Sequence, residues 1–353
     1  MDMYDMYKVT AHVTVLCVSV VVPMIAMADD RHLSLKRGAP LTKGPTVTAA
    51  PDHLRMSSAI KVKDTYYLYS DYIRHDDPNA PGSYSSSLHL FTSTNLVDWT
   101  HRGEVIGSQS DDDSFGCVNV DVLCHDGSVY IYYLGIGKND FESRKRNEGW
   151  NVRPDDRSYL TSTIMVAESE SPLGPFKKRT PLLRAGPKGS WDHWKVLDPK
   201  VIKVDGQFRL YFKGFNTKFH LSRKIGFATS SSPTGPFKKY EKNPILDWSG
   251  SGQTGIDVTV PFNHRGNLGM LSLTFDPRRH VYLTSNDGIQ WHVHNEMFSK
   301  GMDIGLVKDH DNNLLPYYIQ SSGKPLSLTL FNLQIRKETG QPEAAADADT
   351  PRR

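Results

Sequence analysis

Cysteine is scarce in this chain of 353 residues, with three present, and Cys17 lies in a leading apolar segment. The other two, Cys117 and Cys124, would stand roughly 20 Å apart along one extended strand, too far to bridge unless the chain bends between them. They read as two free, buried thiols, so no disulfide framework is expected. Helical periodicity is almost absent, which excludes a helical bundle. No sign of charge dominates: the formal net charge is +3, and no recognised nucleic-acid motif accompanies it, so no nucleic-acid partner is expected. Zinc-ligand spacing and a Gly-rich phosphate loop are both missing, so no metal centre is expected and no cofactor is required. The acidic run Asp111-Asp112-Asp113 leaves a structural divalent cation possible, although adjacent acids on a loop are usually only solvated.

Long hydrophobic runs are also lacking, apart from Val13 to Ile25, which is short for a membrane span. Lys8 lies ahead of it and Ala26-Met27-Ala28 follows, so residues 1–28 read as an export signal and the mature chain would begin near Asp29. The expected location is periplasmic or extracellular, without stable membrane association. At the other end, residues 337–353 are rich in Ala, Asp, Pro and charge without apolar periodicity, and read as a disordered tail.

What is present is β-branched and aromatic residues in short runs: Tyr66 to Tyr69, Val129 to Tyr133, Phe208 to Phe212, Leu268 to Leu273, and a weaker fifth at Leu315 to Ile319. Each of the first four is followed by a turn-rich hairpin. Ala167 to Lys178 and Ala228 to Lys239 share Ser, Pro and Gly and close on Phe-Lys-Lys, while Phe91 to Trp99 and Leu283 to Trp291 are looser copies. A hairpin recurring at the same place in each repeat is the pattern of a propeller rather than a β-sandwich. The fold class is therefore all-β, a five-bladed β-propeller over residues 51–336, with blades near 51–106, 115–183, 195–246, 255–298 and 301–336. Residues 29–50 form an N-terminal extension that either packs outside the ring or supplies a strand that helps close it.

Aspartates stand ahead of the inner strands at Asp121, Asp198, Asp257 and Asp303. Strands beside the axis of a propeller bring such residues to one pocket, and converging carboxylates suit glycoside hydrolysis, where one acid protonates the leaving oxygen and one base activates water. Asp198 is followed by Pro199 and preceded by Trp191-Asp192-His193-Trp194; Trp191, His193 and Trp194 suit stacking on and hydrogen-bonding a sugar ring. Asp257 follows Gly250, Gly252 and Gly255, whose freedom lets backbone approach a ligand. Asp121 and Asp303 serve either substrate or the ties between blades. In the first blade the counted position falls at Arg55 or Met56, and the nearest carboxylate is Asp52, which either reaches the pocket as base or lies on a surface loop.

Lys195 to Pro199, the Gly-Pro-Phe hairpins and Ser285 to Trp291 resemble the five-bladed propeller glycoside hydrolases of families 43 and 117, most of all family 117, over Thr48 to Phe298. Characterised family 117 members remove 3,6-anhydro-L-galactose from the non-reducing end of agar oligosaccharides. The resemblance implies that Asp198 orients the acid and modulates its pKa, and that Asp257 is the proton donor or its partner. The family's histidine acid has no counterpart at Ile256, and its first-blade base is replaced by Arg55 or Met56. The expectation is an exo-acting, inverting hydrolase with an oligosaccharide substrate. A family-43-like arabinofuranosidase or xylosidase, a phosphorolytic propeller and a non-catalytic carbohydrate-binding propeller are the rivals. The basic insertion Lys138 to Tyr159, Arg153 included, is either a solvated loop or a subsite for sulfated or uronic sugars.

Overall fold

The computed structural model describes residues 33–45, 53–75, 84–137, 161–216, 224–247, 256–275, 278–294, 303–322 and 327–337. Every regular element among them is a strand. After β1 (Leu33–Lys43), β2 (His53–Val62), β3 (Thr65–His75), β4 (Tyr84–Ser93) and β5 (Thr100–Ile106) form a first antiparallel meander. The second is β6 (Gly116–His125), β7 (Ser128–Gly137) and β8 (Thr161–Ser169), with the short β9 (Lys177–Lys178) and β10 (Leu183–Arg184) along β8. The third is β11 (Lys195–Val204), β12 (Gln207–Phe215), β13 (Lys224–Ser230) and β14 (Lys238–Lys239). The fourth is β15 (Ile256–His264), β16 (Asn267–Phe275), β17 (Arg278–Ser285) and β18 (His292–His294). Finally come β19 (Ile304–Asp309), β20 (Leu314–Ser322) and β21 (Ser327–Lys337), against which β1 returns antiparallel.

The fold is all-β and propeller-like, with one departure from separate blades. β19 pairs in parallel with β2, Val307 to Asp309 against Ala59 to Lys61, so the first and last repeats merge into one eight-stranded sheet. The extension thus supplies its strand at the outer edge of that sheet, on β21. Hairpin chemistry explains the inner turns: Asp205 and Gly206, at φ 50° and 78°, are the two positive-φ residues that a tight twisted hairpin requires.

Sheets pack face to face through shared apolar clusters. Tyr69 and Leu90 of the first meander meet Val122 and Ile131 of the second. Leu134 and Val166 then meet Val201 and Phe212, and Tyr211 and Phe227 meet Met270 and Leu283. Leu271 meets Tyr318, and within the merged eight-stranded sheet Leu68 clusters with Val307 and Leu330. Buried tyrosines add a directed tie at three of these seams, where burial demands a partner for the phenol. Tyr69 Oη donates to Pro172 O at 2.6 Å, Tyr132 Oη to Pro233 O at 2.8 Å and Tyr211 Oη to Gly288 O at 2.8 Å. The acceptors lie in the hairpins whose Ser, Pro and Gly recur in the sequence.

Where the inner strands meet, Asp121 joins several of them. Its carboxylate accepts from Ser58 Oγ at 2.9 Å and from the Val201 N–H at 2.9 Å, and it pairs with Lys308 Nζ at 3.2 Å. Lys200 Nζ donates to Val120 O at 2.6 Å and Lys308 Nζ to Val122 O at 2.5 Å. Burial alone would raise the Asp121 pKa, but Lys308, Lys200 and these donors bring it below the ordinary carboxylate value. Removing one member of a buried charge group leaves the others uncompensated. Asp121→Asn is therefore expected to cost on the order of 3–5 kcal/mol in urea unfolding, and a loss under about 1 kcal/mol would show that the lysines find other partners.

Candidate active site

Each of the first four inner strands carries a β-bulge near its start, between Leu54 and Ser57, Val118 and Asp121, Leu197 and Lys200, and Ile256 and Thr259. A bulge inserts one residue and re-aims a side chain. In the second and third meanders the first bulge residue is Asn119 at φ 61° and Asp198 at φ 54°, a left-handed conformation that Asn and Asp tolerate better than other side-chain-bearing residues. In the first and fourth meanders the corresponding residues are Arg55 and Asp257.

These residues converge. Asn119 Nδ2 donates to Asp198 Oδ1, and Lys213 Nζ, on β12, pairs with Asp198 Oδ2 at 2.6 Å; all three are buried. Arg55 Nη2 donates to Asn119 Oδ1 at 3.3 Å, and Arg55 Nε faces Asp303 Oδ2 at 3.6 Å. The Arg55 side chain is 37% exposed and that of Asp303 12%, so this end of the bundle of inner strands is its open mouth. Beneath lie two buried titratable groups. Burial pushes Asp71 up to about 7, against the pull of Arg55, the Asn119 N–H and Lys200. Burial lowers the Lys200 pKa, opposed by Asp121 and Asp198.

Of the residues expected from sequence, Asp198 and Asp303 stand at the mouth. Asp121 does not share the position of Asp198: the residue that does is Asn119, seven residues ahead of Asp126 as Asp198 is ahead of Asp205. Asp121 instead sits two residues deeper, in the knot with Lys308. The backbone of Asp257 occupies its bulge; its side chain, Asp52 and Arg153 lie outside the described residues. Trp191 stacks on Phe212 with rings 5.4 Å apart and is wedged over Gly214 and Gly226, where a Cβ would strike the indole, so much of its surface is spent on packing. Trp194 is buried and its backbone N–H donates to Phe215 O, while the His193 ring contacts Ser190 O at 3.1 Å. Asn119, Lys213 and Asp71 were missed by counting to the nearest aspartate, whereas Arg55 is one of the two residues that the count in the first blade reached; counting back from the hairpin turn finds Asn119.

In the acidic run, Asp112 pairs with Arg184 and Asp113 with Lys178, and Asp113 also accepts the Gln109 and Ser110 N–H groups. Among the described residues no group of three or more His, Cys, Asp or Glu side chains is arranged to hold a metal ion. Cys117 and Cys124 are both free, the first buried and the second half-buried. A cavity of about 360 Å³ opens at the opposite end of the inner strands, between the turns, lined by His125, Lys203, Arg265 and Asn313. A narrow crevice with no room for a water molecule, lined by Asp198, Lys213, Phe212 and Thr259, adjoins the carboxylate at the bulge end.

Residues 50–220 match the family model of glycosyl hydrolases family 43. The fold matches that of a family 117 glycoside hydrolase, Zg3597, of the marine bacterium Zobellia galactanivorans, with TM-score 0.65 and 18% identity over 86% of this chain and 90% of that one. Sucrose-6-phosphate hydrolase from Lactobacillus gasseri matches with TM-score 0.59 and 15% identity, over 84% of this chain and 60% of that one. A GH43_1 enzyme from Xanthomonas citri gives 0.55 and 14%, over 83% and 90%. No curated protein matches the sequence significantly. The class is thereby defined: this is an enzyme, a glycoside hydrolase with the fold of the family 43 and family 117 propellers, and its substrate is a carbohydrate.

The buried Asp71 gives the site a signature in stability. Its folded pKa, about 7, exceeds the ordinary 3.8, so between these values the folded state holds a proton that the unfolded state has lost. Its contribution is therefore greatest below the unfolded pKa and falls as pH rises, by about 1.4 kcal/mol per pH unit, up to the folded pKa. Relative to the parent, Asp71→Asn should gain stability steadily across that interval and then level off. A pH-independent difference in urea midpoints would contradict the assignment.

Proposed function

We propose that the chain is an exo-acting hydrolase that releases one terminal sugar from polysaccharide-derived oligosaccharides by single displacement with inversion. The observation that carries this reading is Asp198, a carboxylate fixed in a left-handed bulge residue at the mouth, ion-paired with buried Lys213 and bound by Asn119. A carboxylate held so firmly is poorly placed to attack as a nucleophile, but its negative charge favours the protonated form of an acid beside it. Asp257, on the next inner strand, is that acid. Asp52 is assigned the base, since a guanidinium at Arg55 has no capacity to accept a proton. Terminal 3,6-anhydro-L-galactose is the first sugar to try, on the resemblance to family 117 and the marine origin of one structural neighbour.

Arg55 favours a second reading, phosphorolysis. Its guanidinium fits an oxyanion. A phosphate oxygen would attack the anomeric carbon while the leaving oxygen takes its proton from Asp257, giving a sugar phosphate without need of a base.

The deciding assay is product release from agar, carrageenan, arabinan and xylan oligosaccharides, with and without phosphate, with the first-formed anomer read by NMR. Inversion and a loss of about 10²- to 10⁴-fold in kcat for Asp198→Asn are expected. Retention at the anomeric carbon would refute single displacement, and phosphate dependence would select the second reading. Binding without cleavage of any sugar would overturn both. Residues 1–28 are proposed to export the protein: N-terminal sequencing of the secreted form should begin near Asp29, and a cytoplasmic protein retaining Met1 would count against it.

A further inference from the structure

The first and third meanders both set a charge on the second strand beside the bulge. In the third, the bulge supplies the carboxylate Asp198, and Lys213, paired with the Leu197 that precedes the bulge, supplies a cation 2.6 Å away. In the first, the bulge supplies the cation Arg55, and Asp71 lies directly opposite the bulge, between the pairs Leu54–Tyr72 and Ser57–Ser70. The place opposite the bulge holds Tyr133 in the second meander, Phe212 in the third and Leu273 in the fourth, all buried. Packing therefore asks for a large apolar or aromatic side chain where Asp71 stands.

Asp71 is fully buried, and neither carboxylate oxygen has a hydrogen-bond partner of ordinary geometry. Such a group is costly to keep unless something else requires it. The groups that face it are Arg55 on β2, the Asn119 N–H on β6, Lys200 on β11 and Asp303 just ahead of β19; its pair on β4 is the apolar Leu88. Arg55 and Asn119 are also the two residues that hold Asp303 and Asp198 at the mouth.

We propose that Asp71 is a positioning residue of the active site, the first meander's carboxyl moved from the bulge to the second strand, acting through Arg55 and Asn119 on Asp303 and Asp198. The inference rests on the glycosidase reading of that site. Burial bars Asp71 from touching the sugar. When ionised it competes with Asp303 for the Arg55 guanidinium; when protonated it leaves Arg55 to Asp303. One unit of charge thus appears or vanishes beneath the mouth without any group at the mouth being replaced, and the proton it carries exchanges with water.

The test has two arms. Where the parent cleaves one of the oligosaccharides, its kcat/KM profile should show an ionisation near pH 7 that Asp71→Asn lacks. That variant should lose roughly tenfold in kcat, the effect of one pKa unit on the acid, with KM little changed. A merely structural Asp71 would alter thermal stability and leave the shape of the profile intact, which would overturn the proposal. The second arm needs no turnover. Infrared difference spectra of parent minus Asp71→Asn should show a protonated-carboxyl band that titrates near 7, with its midpoint raised in Arg55→Gln. A band titrating in the ordinary carboxylate range, or a midpoint indifferent to Arg55→Gln, would overturn the inference. A band that behaves as expected in a protein that cleaves nothing would sink the hydrolase reading alone.

Discussion

The contact on which the architecture depends is the Asp121 carboxylate, buried where the inner strands meet. Hydrophobic burial holds the sheets against each other but has little direction, so it cannot fix how strands from distant parts of the sequence stand relative to an axis. Asp121 can, because it accepts from Ser58 on β2 and from the Val201 N–H on β11 and pairs with Lys308 on β19. Each contact crosses from one meander to another. The lysines extend the constraint by donating to Val120 O and Val122 O, carbonyls on either side of Asp121 itself. Each ammonium group donates to at least one acceptor and stands near the Asp121 charge, which is what makes buried charge tolerable.

This knot lies directly beneath the mouth, and the two layers are linked by register. Asp121 and Lys200 are the first residues to pair again after the bulge, two residues beyond Asn119 and Asp198, so the residue that turns toward the opening and the residue that ties the strands are set by one backbone irregularity. Asn119 and Asp198 can occupy the left-handed bulge position because short polar side chains pay little for it. The bulge is the reason that a carboxylate can be presented to a ligand next to one consumed by structure.

Much of the fold was legible in the sequence because its signals are local. Aromatic alternation marks the strands, and the Ser-Pro-Gly hairpins recur at equal places, since each must offer a carbonyl such as Pro172 O or Pro233 O to a tyrosine of the neighbouring meander. The parallel junction of β19 with β2 left no such mark, because pairing between the two ends of the ring has no turn to announce it. The site was legible at Asp198, whose Asp-Pro context is distinctive, and obscured at Asp121, because the residue type matches the pattern while the extra residue of the bulge shifts its position. Lys213 and Asp71 were invisible for another reason: they lie on second strands, where the surrounding run is aromatic and a single charge reads as solvent-facing until the neighbouring sheet is known to cover it.

The mouth that results is unequal around the axis. Among the described side chains, carboxylates belong to the third and last meanders through Asp198 and Asp303, while the first and second contribute donors, the Arg55 guanidinium and the Asn119 amide. Donors and acceptors engage each other across the opening in the order Asp303, Arg55, Asn119, Asp198, Lys213, a continuous chain in which each member is held by the next. Groups so connected do not reorient independently, and preorganised dipoles of this kind need no rearrangement when charge develops on a bound sugar. A change at one end of the chain is therefore felt at the other, which is why the identity of the first-meander residue matters for the carboxylate of the third although the two do not touch.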